Sequence, residues 1–311
     1  MKIHVLVYGR ADRLSPVTNT DLNLLKEAAI KLGHELVPIF SRDCQLIFSP
    51  KPEVLIKNQK EKINVLLVRA NFLGHDIDQH TAIIKQFQMA GIKVINKHYA
   101  VERAKNKIRT LQLLGKYGVP LPRTYILSSS DRIDEGVKFV GGFPVILKTV
   151  CGSHGSGVSI VESKRGLRSV VELIMRNEGS TPLILQEYVR EAKGKDTRVF
   201  IVGKRILAAM EREAKKRGEF RSNFHLGGRV RVAEMSKKEK EVAFAAVKAI
   251  GLDMAGVDIL RTKNGPKVLE VNANPGLEGI TQASMRDIAG EIIKYTVKKA
   301  KRSKIIDRFK K

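Results

Sequence analysis

The chain has 311 residues, 43% of them hydrophobic, and a formal net charge of +25. That length accommodates two or three domains with real cores, and no apolar run reaches the roughly 18 residues of a membrane-spanning helix. Two cysteines, Cys44 and Cys151, are too few for a disulfide framework and point to a reducing, cytoplasmic setting.

Residues 1–10 are too short for a signal peptide and read as a first strand over 3–8. A helix is expected over 20–32, with Asp21 in its first turn and Gly33 at its end. Strands follow at 35–40, 54–56 and 65–69, then a helix over 79–90 closed by Gly91, and a strand at 93–96. This alternation is an open α/β unit, and its first βα turn lacks the glycine fingerprint of a dinucleotide site. A basic helix over 100–117 ends at Gly118-Val119-Pro120-Leu121-Pro122. A strand over 144–148 ends in Lys148 and runs into the glycine-rich turn Gly152-Ser153-His154-Gly155-Ser156-Gly157, after which 158–161 is a strand again. A helix over 167–176 and strands at 183–188, 197–202 and 205–212 come next. A basic loop, a helix over 237–250, two strands at 257–260 and 267–271, and a helix over 287–300 complete the chain. The run Lys298-Lys299-Ala300-Lys301-Arg302-Ser303-Lys304 reads as a helix end plus a frayed tail. Segments 93–123, 193–240 and 294–311 hold nearly all of the positive excess, and a cationic cleft concentrates anionic ligands. The tail lacks interleaved aromatics, so its nucleic-acid signal is weak.

The sharpest chemical signal is Asp258, Glu270 and Asn272. Their strands are separated by Arg261-Thr262-Lys263-Asn264-Gly265-Pro266, and Asn-Gly between β-branched runs signals a hairpin. A three-residue loop ending at a left-handed Gly265 sets Thr262 opposite Pro266 and Asp258 opposite Glu270, with Asn272 two residues further on the same face. A two-residue loop shifts the register by one and separates them. Three oxygen donors on one surface suit a hard cation that also carries substrate phosphate.

Lys148 before a glycine turn suits a phosphate cradle, although no Gly-Lys-Ser/Thr follows as in a Walker A loop. A β–turn–β flap over nucleotide phosphates fits better. The backbone of Gln186-Glu187-Tyr188-Val189 can pair with an adenine edge, as can the Glu187 side chain. Asp196-Thr197-Arg198 and Phe220-Arg221-Ser222-Asn223 bring arginines suited to bidentate recognition of phosphate or carboxylate. The seven histidines show no metal spacing, and no nucleophile signature is present.

Taken with Lys107-Ile108-Arg109, Gly227-Gly228 and the stretch from Ala255 through Gly279, these segments resemble the ATP-grasp superfamily, and within it the RimK-type ligases. Asn274 stands where the family form Asn-x-Ser-Pro-Gly carries serine, and the basic tail is longer than the family needs. The resemblance implies an N-terminal α/β domain over 1–96, a central lobe with the flap over 97–185, and a C-terminal lobe over 186–311 with the metal site. It implies that Lys107 and Lys148 contact phosphates and that Gln186, Glu187, Tyr188 and Val189 lie at the adenine. Asp196 lies near the ribose, Arg221 and Asn223 approach the phosphates or the acceptor, and Arg198 and Ser222 belong to the same cofactor-binding set. Lys148 and Arg221 are the catalytic candidates, and Asp258, Glu270 and Asn272 bind two Mg²⁺ or Mn²⁺ ions. The activity implied is ATP-dependent addition of L-glutamate to the C-terminal carboxylate of a protein acceptor, ribosomal protein S6, through an acyl phosphate, in a homo-oligomer. Glutamylation of a small coenzyme or an amino-group carrier protein is the alternative within the class. A basic RNA- or ribosome-binding protein with a vestigial site is the alternative outside it, against which the intact acidic trio argues.

Overall fold

The structure, a computed structural model, describes all residues except 49, 73–75, 151–156, 179–180, 193, 215–228 and 309–311. The chain begins with β1 (Lys2–Val7), α1 (Pro16–Lys31), β2 (Glu35–Phe40), β3 (Cys44–Ile47), β4 (Glu53–Ile56), β5 (Leu66–Arg69), α2 (Ile77–Met89) and β6 (Val94–Ile95). Strands β2, β1, β5 and β6 form a parallel sheet in that order. Their near-continuous apolar runs suit strands buried on both faces. Strands β3 and β4 form a separate antiparallel hairpin, so the expected strand at 54–56 lies outside the main sheet.

Helix α1 starts earlier than its sequence pattern suggested. Ser15 caps it by accepting from Thr18 N, and Pro16 occupies the first turn. Asp21 is therefore an interior helical residue, and it is buried. The expected single basic helix over 100–117 is two: α3 (His98–Lys105) and α4 (Lys107–Lys116). Asn106 breaks it, leaving the helical region at φ −102° and ψ 112° while its side chain caps α4 at Arg109 N.

The central lobe contains β7 (Thr124–Leu127), α5 (Ile133–Val140), β8 (Val145–Thr149), β9 (Val158–Val161), α6 (Lys164–Glu178) and β10 (Leu183–Glu187). Its antiparallel sheet runs β7-β10-β8-β9. Alternation sends Val145, Leu147, Leu183 and Leu185 into a core with Ile133, Leu167 and Val171 of the two helices. Ile146, Lys148, Ile184 and Gln186 line a cavity on the opposite face.

The C-terminal part holds β11 (Lys195–Val202), β12 (Arg205–Glu213), β13 (Arg229–Val232), α7 (Lys237–Ile250), β14 (Met254–Thr262), β15 (Gly265–Asn272), α8 (Glu278–Ser284) and α9 (Ile288–Arg308). The sheet order is β13-β12-β11-β14-β15. The run from Lys298 to Lys304 continues helix α9 rather than fraying. Two cores join this sheet to the N-terminal unit. One gathers Leu66 and Phe87 with Val199, Val247 and Val257, and the other gathers Val5 and Leu25 with Phe200 and Ile293.

Candidate active site

A cavity of about 690 Å³ lies between the three sheets. The central lobe contributes Lys148 and residues 186–189, the C-terminal sheet contributes Asp196, Arg198, Arg212, Asp258, Glu270 and Asn272, and the N-terminal unit contributes Tyr8, Arg13 and Asn71. The helix junction adds Lys105 and Lys107.

The hairpin brings the acidic trio together by a route unlike the expected one. Thr262 pairs with Gly265, so the loop has the two residues Lys263 and Asn264. Gly265 is left-handed at φ +105°, as anticipated. Ile259 then pairs with Val268, but Asp258 pairs with Glu270. Leu269 is the extra residue of a β-bulge, and the bulge restores the register that the short loop had shifted. A two-residue loop therefore does not split the site. Gly256 pairs with Asn272, completing the trio's shared face.

Asp258 is 2% exposed. It accepts two hydrogen bonds of 2.7 Å from Arg198, one to each carboxylate oxygen, and one of 2.8 Å from Arg212. Arg212 also clasps Asp196 at 2.7 and 2.8 Å. Burial alone would raise the Asp258 pKa, but the two guanidiniums bring it down to about 2. Burial opposes the charge of Arg212, and Asp258 and Asp196 more than reverse that effect. Asn272 Nδ2 lies 3.5 Å from Asp258 Oδ2. Among the described residues, the Glu270 side chain has no hydrogen-bond partner. Two carboxylates and an amide are hard oxygen donors fitting Mg²⁺ or Mn²⁺. Asp258 thus carries three guanidinium hydrogen bonds, and Arg198 is the more exposed of its two partners, at 15% against 4%.

Lys148 Nζ donates to Gln186 Oε1 at 2.6 Å, and Gln186 Nε2 donates to Thr124 Oγ1 at 2.9 Å. Gln186 is thus oriented by a strand on its other side, and it holds Lys148 against the cavity wall. Burial lowers the Lys148 pKa to about 8, with Glu270 and Asp258 partly offsetting it. Glu187 is engaged: its carboxylate accepts from Arg123 N and Lys267 Nζ, both at 3.0 Å, and its backbone N–H donates to Arg123 O. Tyr188 and Val189 line the cavity beside it. Arg221, Ser222 and Asn223 lie outside the described residues, as do Gly152 to Ser156 of the expected flap. The two strands of that flap, β8 and β9, pair as expected, with Thr149 N donating to Gly157 O.

Three features had no signal in the sequence. Asp21 and Arg69 form a buried ion pair, Arg69 Nη2 also donates to Pro275 O at 3.0 Å, and Leu277 N donates to Asp21 Oδ1 at 2.9 Å. The N-terminal unit thereby clamps the Asn-Pro-Gly loop just after Asn272. Asn96, fully buried, donates to Met254 O and Ala273 O and accepts from Asp253 N and Met254 N. This ties off the root of the β14–β15 hairpin. Lys105 projects into the same cavity, two residues before Lys107, and only the break at Asn106 sets their relative direction.

The fold matches solved ligases. The ATP-grasp ligase PsnB, in complex with a phosphomimetic variant of its minimal precursor, Mg and ADP, superposes with a TM-score of 0.72 at 20% identity, covering 96% of this chain and 98% of that one. D-alanine–D-alanine ligase from Bacillus anthracis superposes at 0.70 and 18% identity over 99% of both chains. The fold is therefore that of the ATP-grasp ligases. A model of the RimK-like ATP-grasp domain matches residues 104–296. A Vibrio vulnificus protein described as a probable alpha-L-glutamate ligase is 40% identical over 280 residues, 89% of this chain and 91% of its own. The chain belongs to the RimK-like ATP-grasp family and is an ATP-dependent ligase.

Proposed function

We propose that this ligase joins L-glutamate to the C-terminal carboxylate of a protein acceptor, ribosomal protein S6 being the first candidate. The observation that carries the reading is the acidic face of the β14–β15 hairpin, which shares one cavity with Lys107 and Lys148. The description of the 40%-identical relative supports glutamate as the donor amine.

Asp258, Glu270 and Asn272 would hold two Mg²⁺ or Mn²⁺ ions, with Arg198 yielding its place on Asp258. Such ions neutralise the ATP phosphates and polarise the γ-phosphoryl group. Lys107 and Lys148 supply further positive charge from the opposite wall. Residues 186–189 offer backbone groups to the adenine, and Asp196, held by Arg212, lies on the ribose side. Arg198, once released, would face the phosphates, and the motif at Arg221, Ser222 and Asn223 would approach the phosphates or the acceptor.

An acceptor carboxylate oxygen attacks the γ-phosphorus, and the bond to ADP breaks with its electron pair leaving on ADP. The amine of glutamate attacks the acyl phosphate carbon, inorganic phosphate leaves, and the amine loses a proton. Positioning and charge neutralisation carry both steps, and no enzyme nucleophile is needed. Cytoplasmic residence and a homo-oligomeric assembly belong to the same reading.

The test is Glu270→Ala. Acceptor-dependent ADP release should fall by roughly a hundredfold or more, with the circular dichroism and unfolding midpoint retained. Undiminished acceptor-dependent release would sink the assignment. Mass spectrometry of the acceptor checks the donor: addition of any residue other than glutamate overturns that part.

A further inference from the structure

Lys105 is the one cavity cation reached from α3, and its surroundings are unusual. Its Nζ donates to Phe72 O at 2.8 Å and sits 4.6 Å from the centroid of the Phe72 ring. Lys105 makes no ion pair with a carboxylate among the described residues. The charges acting on it most strongly are Glu270, which attracts it, and Arg69 and Lys107, which repel it. An ammonium has three donors, and Phe72 takes one. The others sit in a half-buried, net cationic corner, where an uncompensated charge is costly until an anion arrives.

The neighbours of each lysine indicate which anion. Lys148 donates to Gln186, in the stretch expected at the adenine, whereas Lys105 donates to the Phe72 carbonyl, three residues past the end of β5 in the N-terminal unit. Lys105 therefore reaches the cavity from the N-terminal unit, away from the residues expected at the adenine. A nucleophile that displaces ADP must approach the γ-phosphorus from the side opposite the leaving group.

We propose that Lys105 binds the reacting carboxylate of the acceptor and holds it for attack on the γ-phosphoryl group. Two donors remaining on one ammonium suit a carboxylate, and charge-assisted hydrogen bonds are the stronger kind. The Phe72 carbonyl and ring fix the direction of the Lys105 side chain. The assignment rests on the ligase reading given above.

The experiment titrates the full chain, loaded with MgADP, with two peptides. One is the C-terminal peptide of ribosomal protein S6 with its free carboxylate, and the other is the same peptide as its C-terminal amide. Wild type should prefer the acid by about tenfold, the scale of one charge-assisted contact. Lys105→Met should abolish that preference, Lys105→Arg should retain most of it, and MgADP should bind all three proteins alike. A Lys105→Met protein that still distinguishes acid from amide overturns the assignment. So does a variant that loses MgADP affinity in step with peptide affinity, since Lys105 then serves the nucleotide. A wild type without any preference overturns the acceptor reading and this assignment together, and it does so before any substitution is made.

Discussion

Four charged side chains on one face of the C-terminal sheet form an unbroken series, Asp196–Arg212–Asp258–Arg198. Arg212 is 4% exposed and bridges both carboxylates, so it is the fixed member. Replacing it with Met removes two charge-assisted hydrogen bonds from the buried Asp196 and one of the two partners of Asp258. We expect Arg212→Met to cost about 3–5 kcal/mol, measured by chemical denaturation. Asp196, Arg198 and Asp258 drew attention in the sequence, whereas Arg212 did not, and the pairing did not follow from any of them. Arg198 lies 60 residues from Asp258 in the chain, and only the ladder register sets them opposite. Lys148 yields a pH prediction. Its folded pKa of about 8 lies below the ordinary lysine value near 10.4, so the free protein loses this charge as pH rises through 8. Bound phosphate favours the charged form and raises that pKa. Nucleotide binding above pH 8 must therefore take up a proton, and MgADP affinity should weaken from pH 8 to 9.5. Calorimetry in buffers of different ionisation enthalpy reads both effects, and Lys148→Met should flatten the profile.

At the scale of elements, the β14–β15 hairpin is held from outside itself. Its register depends on the bulge at Leu269, its root on Asn96, and its exit loop on Asp21 and Arg69. Asn96→Ala removes four hydrogen bonds to buried backbone at once. The expected loss is about 3 kcal/mol or more, seen as a lower thermal midpoint. Asn96→Asp keeps the acceptor for Asp253 and Met254 and should cost less. The hairpin itself was legible: β-branched runs flanking Asn-Gly announce it, and Gly265 took the expected left-handed conformation. The bulge was not legible, because a bulge answers to packing on the two sheet faces rather than to turn chemistry. The break at Asn106 was visible only as a polar residue among helix formers. Its capping of Arg109 N settles the choice between one helix and two.

At the scale of the molecule, the central lobe keeps a core of its own, whereas the N-terminal unit and the C-terminal sheet share two. Nucleotide in the cavity would touch both bodies, so binding should add to the stability of the whole. MgADP at about a hundredfold above its Kd should stabilise the chain by about 2.7 kcal/mol, raising the unfolding midpoint. Glu270→Ala should lose the metal-dependent part of that shift. Hydrogen exchange should slow along β8 and β10, whose cavity faces carry Ile146, Lys148, Ile184 and Gln186.

The sequence by itself determined the α/β alternation of the N-terminal unit, the β14–β15 hairpin with its left-handed Gly265, and the acid and amide residues that hairpin carries. These follow from periodicity and turn chemistry, which act between near neighbours. Only the tertiary structure decided which guanidinium meets which carboxylate, how the N-terminal unit grips the loop after Asn272, and that Lys105 shares a cavity with Lys148. Arg69 and Pro275 are 206 residues apart, and Asp21 and Leu277 are 256 apart. Contacts at that distance arise from how finished sheets pack, and no local pattern encodes them.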